Sequence, residues 1–318
     1  MNAHAHPERG EHAFRHEALL YAGRDQFVDG VVTFIREAST GEQPVLVVVN
    51  ADRIAALREA LDGDADRVLF ADMAAVGANP ARIIPAWREF VDRHGAPAGG
   101  SLWGVGEPIY AERTPAELVE CHRHEALLNM ALADAHLTLL CPYDVDSLSD
   151  AVIAEARRNH PFIRSAGATV TSREFPGTQA LAAPSTEPLP EAPAGTPARA
   201  FGPDGLAALR SFVLEQATTA GMVRERADNL VLAINELATN SILHGGGHGR
   251  AAIWRDGDSL ICDVYDNGAV TDPLVGRRHP PTSAAGGRGL WVAHQLCDLV
   301  ALRSLPTGGV ARVHMRLA

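Results

Sequence analysis

Asn235-Glu-Leu-Ala-Thr-Asn-Ser-Ile-Leu-His-Gly245 holds a carboxylate and an amide four residues apart, Glu236 and Asn240. On a helix that spacing places the two side chains one above the other. Such a pair can position a water or hydroxyl and ligate one Mg²⁺, an ion that takes one or two protein oxygens plus phosphates and waters. An ordinary polar helix edge would show the same spacing. A second segment, Asp263-Val-Tyr-Asp-Asn-Gly268, ends an apolar run in Asp266. A carboxylate at a strand end can accept a hydrogen bond from the exocyclic amine of adenine, and Gly268 lets the backbone pass close to a ring. Asp-Asn-Gly is also common turn chemistry. The third segment, Gly286-Gly-Arg-Gly-Leu290, leads into a helical pattern. Backbone N–H groups at a helix N-terminus, with the helix dipole behind them, suit phosphate. No acidic residue lies between Asp272 and Asp298, whereas Arg277, Arg278 and Arg288 do.

These residues need elements to hold them. Leu230, Ile234, Leu237 and Ser241 form one mostly apolar stripe along the helix expected over 225–244, so Glu236 and Asn240 fall on a neighbouring face. Gly245-Gly-Gly ends that helix. Around it the pattern predicts a helix over 203–220, strands at 250–255 and 259–265, a helix at 289–297 and strands at 299–305 and 311–317. That order describes helices on one face of a mixed or antiparallel sheet, an α/β sandwich.

Upstream the rhythm differs. Strands are expected at 18–22, 45–50, 67–71, 102–105 and 137–141, with helices at 25–38, 52–61, 80–94, 114–133 and 147–158. Alternation with all-apolar strands predicts an α/β fold with a mainly parallel sheet and helices on both faces. Residues 176–200, rich in Pro and Ala and without aromatic residues, read as a linker in which proline blocks helix and central strand. The expected domains are therefore 1–175, the linker 176–200, and 201–318.

Composition removes several function classes. The chain has no lysine, so all 28 basic residues are arginine and a Walker A phosphate grip is excluded. Residues 200–318 carry 11 acidic residues and 11 arginines; residues 1–199 hold the entire net charge of −11. An acidic first half argues against direct nucleic-acid binding. No apolar run reaches the 18 residues a membrane span needs, and the N-terminus lacks the apolar segment of a signal peptide. Four scattered cysteines show no paired metal spacing and no disulfide framework. A cytoplasmic protein is expected. Cys121-His-Arg-His124 and Glu125 could offer metal ligands, but they run into the apolar helix 126–133 and read as helix residues. Trp87, Trp103 and Tyr110 read as core, with a sensory pocket as the alternative.

Taken in order, Glu-x-x-x-Asn on a helix, Asp-x-Gly after a strand and Gly-x-Gly before a helix resemble the Bergerat-fold ATPases of the GHKL superfamily. The wording from Asn235 to Gly245 is similar to the anti-sigma factor serine kinases, and the match covers 200–318. The resemblance implies ATP and Mg²⁺ as cofactors, Glu236 as general base, Asn240 as Mg²⁺ ligand and Asp266 as the adenine reader. Gly268, Gly287, Arg288 and Gly289 would line the nucleotide, with 269–287 as a lid. The family threonine near the last strand is missing from Gly308-Gly-Val-Ala311. In the first half, Asn79-Pro-Ala-Arg-Ile-Ile-Pro-Ala-Trp87, Gly106-Glu-Pro-Ile-Tyr110 and Cys141-Pro-Tyr-Asp144 resemble the MEDS sensory domain, over roughly 12–175. That family is related to RecA-like ATPases with the nucleotide loop lost. Here Asn50-Ala-Asp-Arg-Ile follows the apolar run 45–49, with neither a glycine-rich loop nor a lysine.

The resemblances together imply an anti-sigma-type regulator in which a sensory domain controls phosphorylation of a serine on an anti-anti-sigma (STAS) partner. The partners would be that protein and a sigma factor, and kinases of this branch resemble homodimers. Two other readings stay open: a nucleotide-gated binding switch that moves no phosphate, and a histidine-kinase-like signalling enzyme. The second would need a helical hairpin and a His-Glu-x-x-x-Pro pattern that the chain does not contain.

Overall fold

An unbroken apolar strand needs cover on both faces, and the first half of the chain is built from such strands. The computed structural model describes residues 14–39, 44–95, 101–165, 167–181, 183, 185–280 and 288–318. The elements begin β1 (Phe14–Tyr21), α1 (Gly23–Ser39), β2 (Val45–Val49), α2 (Ala51–Leu61), β3 (Val68–Asp72), α3 (Met73–Val76), α4 (Ile83–His94) and β4 (Leu102–Gly106). There follow α5 (Pro115–Ala131), β5 (Leu137–Asp144), α6 (Asp150–Asn159), β6 (Phe162–Ser165) and β7 (Ala168–Thr171). The strands form one sheet in the order β3-β2-β4-β5-β1-β6-β7. All neighbours are parallel except β6 and β7. In β2, Val-Leu-Val-Val-Val is buried along almost its whole length. Its core partners include Phe27, Val31 and Phe34 of α1 and Leu57 of α2. The expected mainly parallel α/β sheet is present. The added strands β6 and β7 went unanticipated because they are short and β7 is largely exposed, so neither shows an apolar run.

The chain forms two compact units. The first contains residues up to 73, 87–112 and 128–178; residues 74–86, 113–127 and 179–318 form the second. Continuing along the chain come α7 (Thr178–Leu181), β8 (Ala198–Phe201), α8 (Leu206–Thr219), α9 (Arg224–His244), β9 (Gly249–Asp256), β10 (Ser259–Asp266), α10 (Gly289–Leu296), β11 (Leu299–Leu305) and β12 (Gly308–Arg316). Strands β8 to β12 make a fully antiparallel sheet in the order β11-β12-β10-β9-β8.

The apolar stripe of α9 faces this sheet. Leu230, Ile234, Leu237 and Ser241 are all buried, and the first three pack with Leu209 and Val213 of α8, Ile253, Cys262, Val264 and Val313. Each fully buried Leu, Ile or Val contributes about 1.5–3 kcal/mol relative to exposure. Strand alternation turns Asp263, Tyr265 and Arg312 to the other face. There Arg312 grips Asp263 through Nε at 2.6 Å and Nη2 at 2.7 Å.

Part of the expected linker belongs to this unit. Residues 198–200 are paired with β9. Ser304 N donates to Ser185 O at 3.0 Å, Arg312 Nη2 to Pro190 O at 2.7 Å and Ile253 N to Pro197 O at 3.0 Å. Proline lacks a donor, but carbonyls in a proline-rich segment still accept. Strand β8 starts just after Pro197 and sits at the sheet edge, where proline tolerance is highest.

The segment 74–86 braces the C-terminus of α10, and 113–127 holds its neighbours Arg277 and Arg303. Asn79 Nδ2 donates to His294 O and Cys297 O at 3.1 and 3.2 Å, and Arg82 adds bonds to the same two carbonyls. These are acceptors that a helix C-terminus leaves without intrahelical partners. Glu120 bridges Arg277 at 2.9 Å and Arg303 at 2.8 Å, and all three are buried. Of the helix residues set aside as metal ligands, Cys121, His124 and Glu125 are likewise buried.

Candidate nucleotide-binding site

Glu236, Asn240 and Ser241 share one helix and address two different neighbours. Glu236 and Asn240 are half-buried and meet the first residue of α10. A methyl group placed on Gly289 would lie 2.9 Å from Glu236 Oε2 and 3.0 Å from Asn240 Nδ2. Only a residue without a side chain lets the start of α10 approach that closely. Among the described residues, no side-chain bond caps this helix at Arg288, and its first turn has no acidic residue. Its leading N–H groups therefore start next to the carboxylate and amide, an arrangement suited to phosphate.

Ser241 turns instead to the end of β10. Its hydroxyl donates to Asp266 Oδ2 at 2.6 Å, and Gly268 N donates to Asp266 Oδ1 at 2.8 Å. A carboxylate offers about four lone-pair sites, so capacity remains for an amine donor. Glycines crowd this carboxylate. An added Cβ would fall 2.6 Å from Asp266 Oδ2 at Gly245 and 3.0 Å from Asp266 Oδ1 at Gly309. Gly308 has φ +125° and would place a Cβ 2.1 Å from Asp266 O, so glycine is required there. Thr307 is exposed. The hydroxyl that reaches Asp266 therefore comes from α9 and not from the turn before β12.

The structure brings Glu236 and Asn240 together with Gly289, and Asp266 with Gly268. Arg288 is exposed at the head of α10; Gly287 and the end of the expected lid, 281–287, lie outside the described residues. One expectation needs correction. Arg277 does not add to an open basic loop, because it is buried against Glu120, while Arg278 and Arg288 are exposed. The described start of the lid is anchored by buried Leu274 and Arg277. Sequence reasoning missed the role of Ser241, although a hydroxyl in an apolar stripe signals a buried partner. The donors fit a nucleotide with Mg²⁺: an uncapped helix start for phosphate, a carboxylate–amide pair beside it and a strand-end carboxylate with spare acceptor capacity.

The first unit has a polar cleft at the carboxyl ends of its parallel strands, the usual ligand position in such sheets. Its volume is about 210 Å³, and its lining includes Tyr21, Asn50, Arg53, Glu107, Tyr110 and Asp144. Tyr21 Oη donates to Glu107 Oε1 at 2.9 Å, and Arg53 Nε lies 2.9 Å from Glu107 Oε2. Burial pushes the Glu107 carboxyl up to about 7, against the opposing pull of Arg53. Of the three aromatic residues named from sequence, only Tyr110 lines the cleft. Trp87 is buried against Gly104 and Gly106, and Trp103 packs on Phe34.

Comparison with known families agrees with both halves. Residues 15–161 match the MEDS domain, described as the methanogen/methylotroph, DcmR sensory domain. Residues 200–317 match the histidine kinase-like ATPase domain. A search of curated proteins finds no match. Among the described residues, no helix is long and apolar enough to cross a membrane. The chain is a fusion of a MEDS sensory domain with a GHKL-type, histidine kinase-like ATPase domain.

Proposed function

We propose that this protein is a cytoplasmic, anti-sigma-type regulator that phosphorylates a serine of a STAS-domain partner from ATP and holds a sigma factor through the same domain. The observation that carries the reading is the meeting of Glu236 and Asn240 with the uncapped start of α10 at Gly289. Glu236 accepts the proton of the attacking serine hydroxyl, whose oxygen bonds to the γ-phosphorus as the bond to the β-phosphate oxygen breaks, leaving ADP. Asn240 would hold Mg²⁺, and the ion would supply neutralisation of phosphate charge. Asp266 accepts from the adenine amine, with Ser241 and Gly268 N fixing its orientation. The N–H groups at the head of α10 and the exposed Arg288 receive phosphate. The sensory input enters through the MEDS domain.

The test is transfer from γ-labelled ATP to the host's STAS-domain proteins. Acid-stable label on a STAS serine, absent with Glu236→Ala, supports the kinase and identifies its partner. Confirmed ATP binding without any label replaces the kinase with a nucleotide-gated binding switch. Acid-labile label on the protein itself would instead indicate histidine-kinase-like chemistry.

A further inference from the structure

Inside the first unit, three side chains from separate elements converge: His16 of β1, Cys141 of β5 and His160 at the C-terminal cap of α6. All are at most 1% exposed, and one ligand atom from each lies within 4.8 Å of the others. The sheet register explains the approach. His16 pairs with Leu139, and Cys141 is two residues further along β5 on the same face. The His16 and His160 rings lie 4.0 Å apart, and Tyr143 packs edge-on against His160.

A second layer fixes both imidazoles. Asn129 Nδ2 donates to Asn159 O at 2.9 Å, which aims Asn129 Oδ1 at His16 Nδ1, 3.2 Å away. That oxygen can only accept, so Nδ1 carries the proton and the lone pair of His16 is on Nε2. Cys141 Sγ is 3.4 Å from that Nε2. His160 Nδ1 donates to Ala156 O at 2.7 Å, leaving its lone pair on Nε2 as well. Metal-bound histidines characteristically give their second N–H to a carbonyl or carboxylate. A tetrahedral ion with metal–sulfur and metal–nitrogen bonds of about 2.3 and 2.0 Å has a nitrogen–sulfur edge of about 3.5 Å. The His16–Cys141 separation is close to that edge.

We propose that His16, Cys141 and His160 form a buried site for a divalent transition metal of the zinc type, with a fourth position filled by an oxygen donor or water. Two neutral imidazoles and a thiolate suit zinc, a borderline-soft ion, far better than Mg²⁺ or Ca²⁺. Binding converts the Cys141 thiol to thiolate and releases one proton per ion. The site draws β1, β5 and the α6–β6 corner together.

The decisive experiment uses the full chain, stripped with chelator and titrated with Co²⁺ and Zn²⁺. One equivalent of Co²⁺ should give tetrahedral ligand-field absorption and a thiolate-to-cobalt charge-transfer band, both removed by Zn²⁺. Cys141→Ser should abolish the charge-transfer band, whereas Cys121→Ser and Cys297→Ser should keep it. Asn129→Ala, which leaves the three ligands in place, should weaken affinity about 10–100-fold. Circular dichroism of each variant separates lost binding from lost folding. The proposal is overturned if the folded wild-type chain takes up no stoichiometric Co²⁺ or Zn²⁺. It is equally overturned if folded Cys141→Ser and His160→Gln chains bind as the wild type does.

Discussion

Two helix starts in this molecule have the same problem and opposite solutions. Every α-helix begins with N–H groups that lack intrahelical partners. In the first unit α2 follows the apolar strand β2, the position where a nucleotide loop would have to stand. There Asn50 closes the helix: its side chain accepts from Arg53 N at 3.0 Å, and Asp52 places a negative charge in the first turn. In the second unit α10 begins at Gly289 with, among the described residues, neither a side-chain cap nor an acidic residue in its first turn. The first start has a side-chain cap and a carboxylate in its first turn; the second begins beside Glu236 and Asn240. The two starts thus differ in the residues that form them, Asn50 and Asp52 in one and Arg288 and Gly289 in the other. The first unit compensates with side chains, placing Arg53, Glu107 and Tyr21 around its cleft.

The largest expected effect tests what the open start is for. Glu236→Gln keeps the shape of the side chain but cannot accept a proton. Phosphoryl transfer should fall about 10²–10⁴-fold while ATP affinity changes little. Equal loss of both in a titration and a transfer assay would make Glu236 a binding residue only. Next comes the anchor of the loop leading to α10. Glu120→Ala strands Arg277 and Arg303, each 4% exposed, without their shared carboxylate. Removing one partner from a buried ionic group typically costs about 3–5 kcal/mol. Urea unfolding measures this directly, and a loss under about 1 kcal/mol would mean that the arginines find water instead.

Much of this contrast was legible in the sequence because it rests on local rules. The apolar stripe of α9, the carboxylate and amide beside it and the missing glycine loop after β2 all follow from spacing and residue type. What was hidden depends on tertiary neighbours. Arg277 reads as a loop cation until a helix more than 150 residues earlier supplies Glu120. Trp87, read from sequence as core, fills the space where side chains at Gly104 and Gly106 would be, a fit that only the folded sheet reveals. Likewise β8 follows a proline-rich stretch whose own residues show no strand pattern, and it forms because β9 offers an edge. His16, Cys141 and His160 carry no spacing signal, since β1 and β5 become neighbours only in the sheet.

Gly289 sharpens the contrast at the open start itself. Gly289→Ala would push a methyl to within 2.9 Å of Glu236 Oε2 and 3.0 Å of Asn240 Nδ2. Displacing the helix start should forfeit one or more charge-assisted hydrogen bonds to phosphate, roughly a 10–100-fold loss in ATP affinity by isothermal titration. Wild-type affinity in this variant would remove α10 from the site. A smaller effect comes from His294, near the far end of the same helix. Its pKa is held well below the ordinary value, first by burial and then by Arg277 and Arg82. The unfolded chain takes up a proton near pH 6.5 that the folded chain refuses, so stability declines as pH falls below that value. The slope approaches about 1.4 kcal/mol per pH unit. His294→Leu should flatten this acid limb in urea unfolding between pH 7 and pH 5.5; an unchanged limb would assign it to other groups.

The smallest effect tests the closed start. Asn50→Ala removes the cap of α2 and should cost about 1 kcal/mol of stability, read from the urea midpoint. It should not create an anion site. Asp52 remains in the first turn, and no glycine-rich segment precedes the helix to let phosphate approach its N–H groups. The matching control is Asn50→Gly, which restores backbone access while costing only a few tenths of a kcal/mol more or less than the original cap. If phosphate or ATP bound the Asn50→Gly chain at a second stoichiometric site, absent from wild type, the cap alone would separate the two helix starts. If neither variant gains a site, charge and loop geometry contribute as much as the cap, and closure of the first start is built from several residues at once.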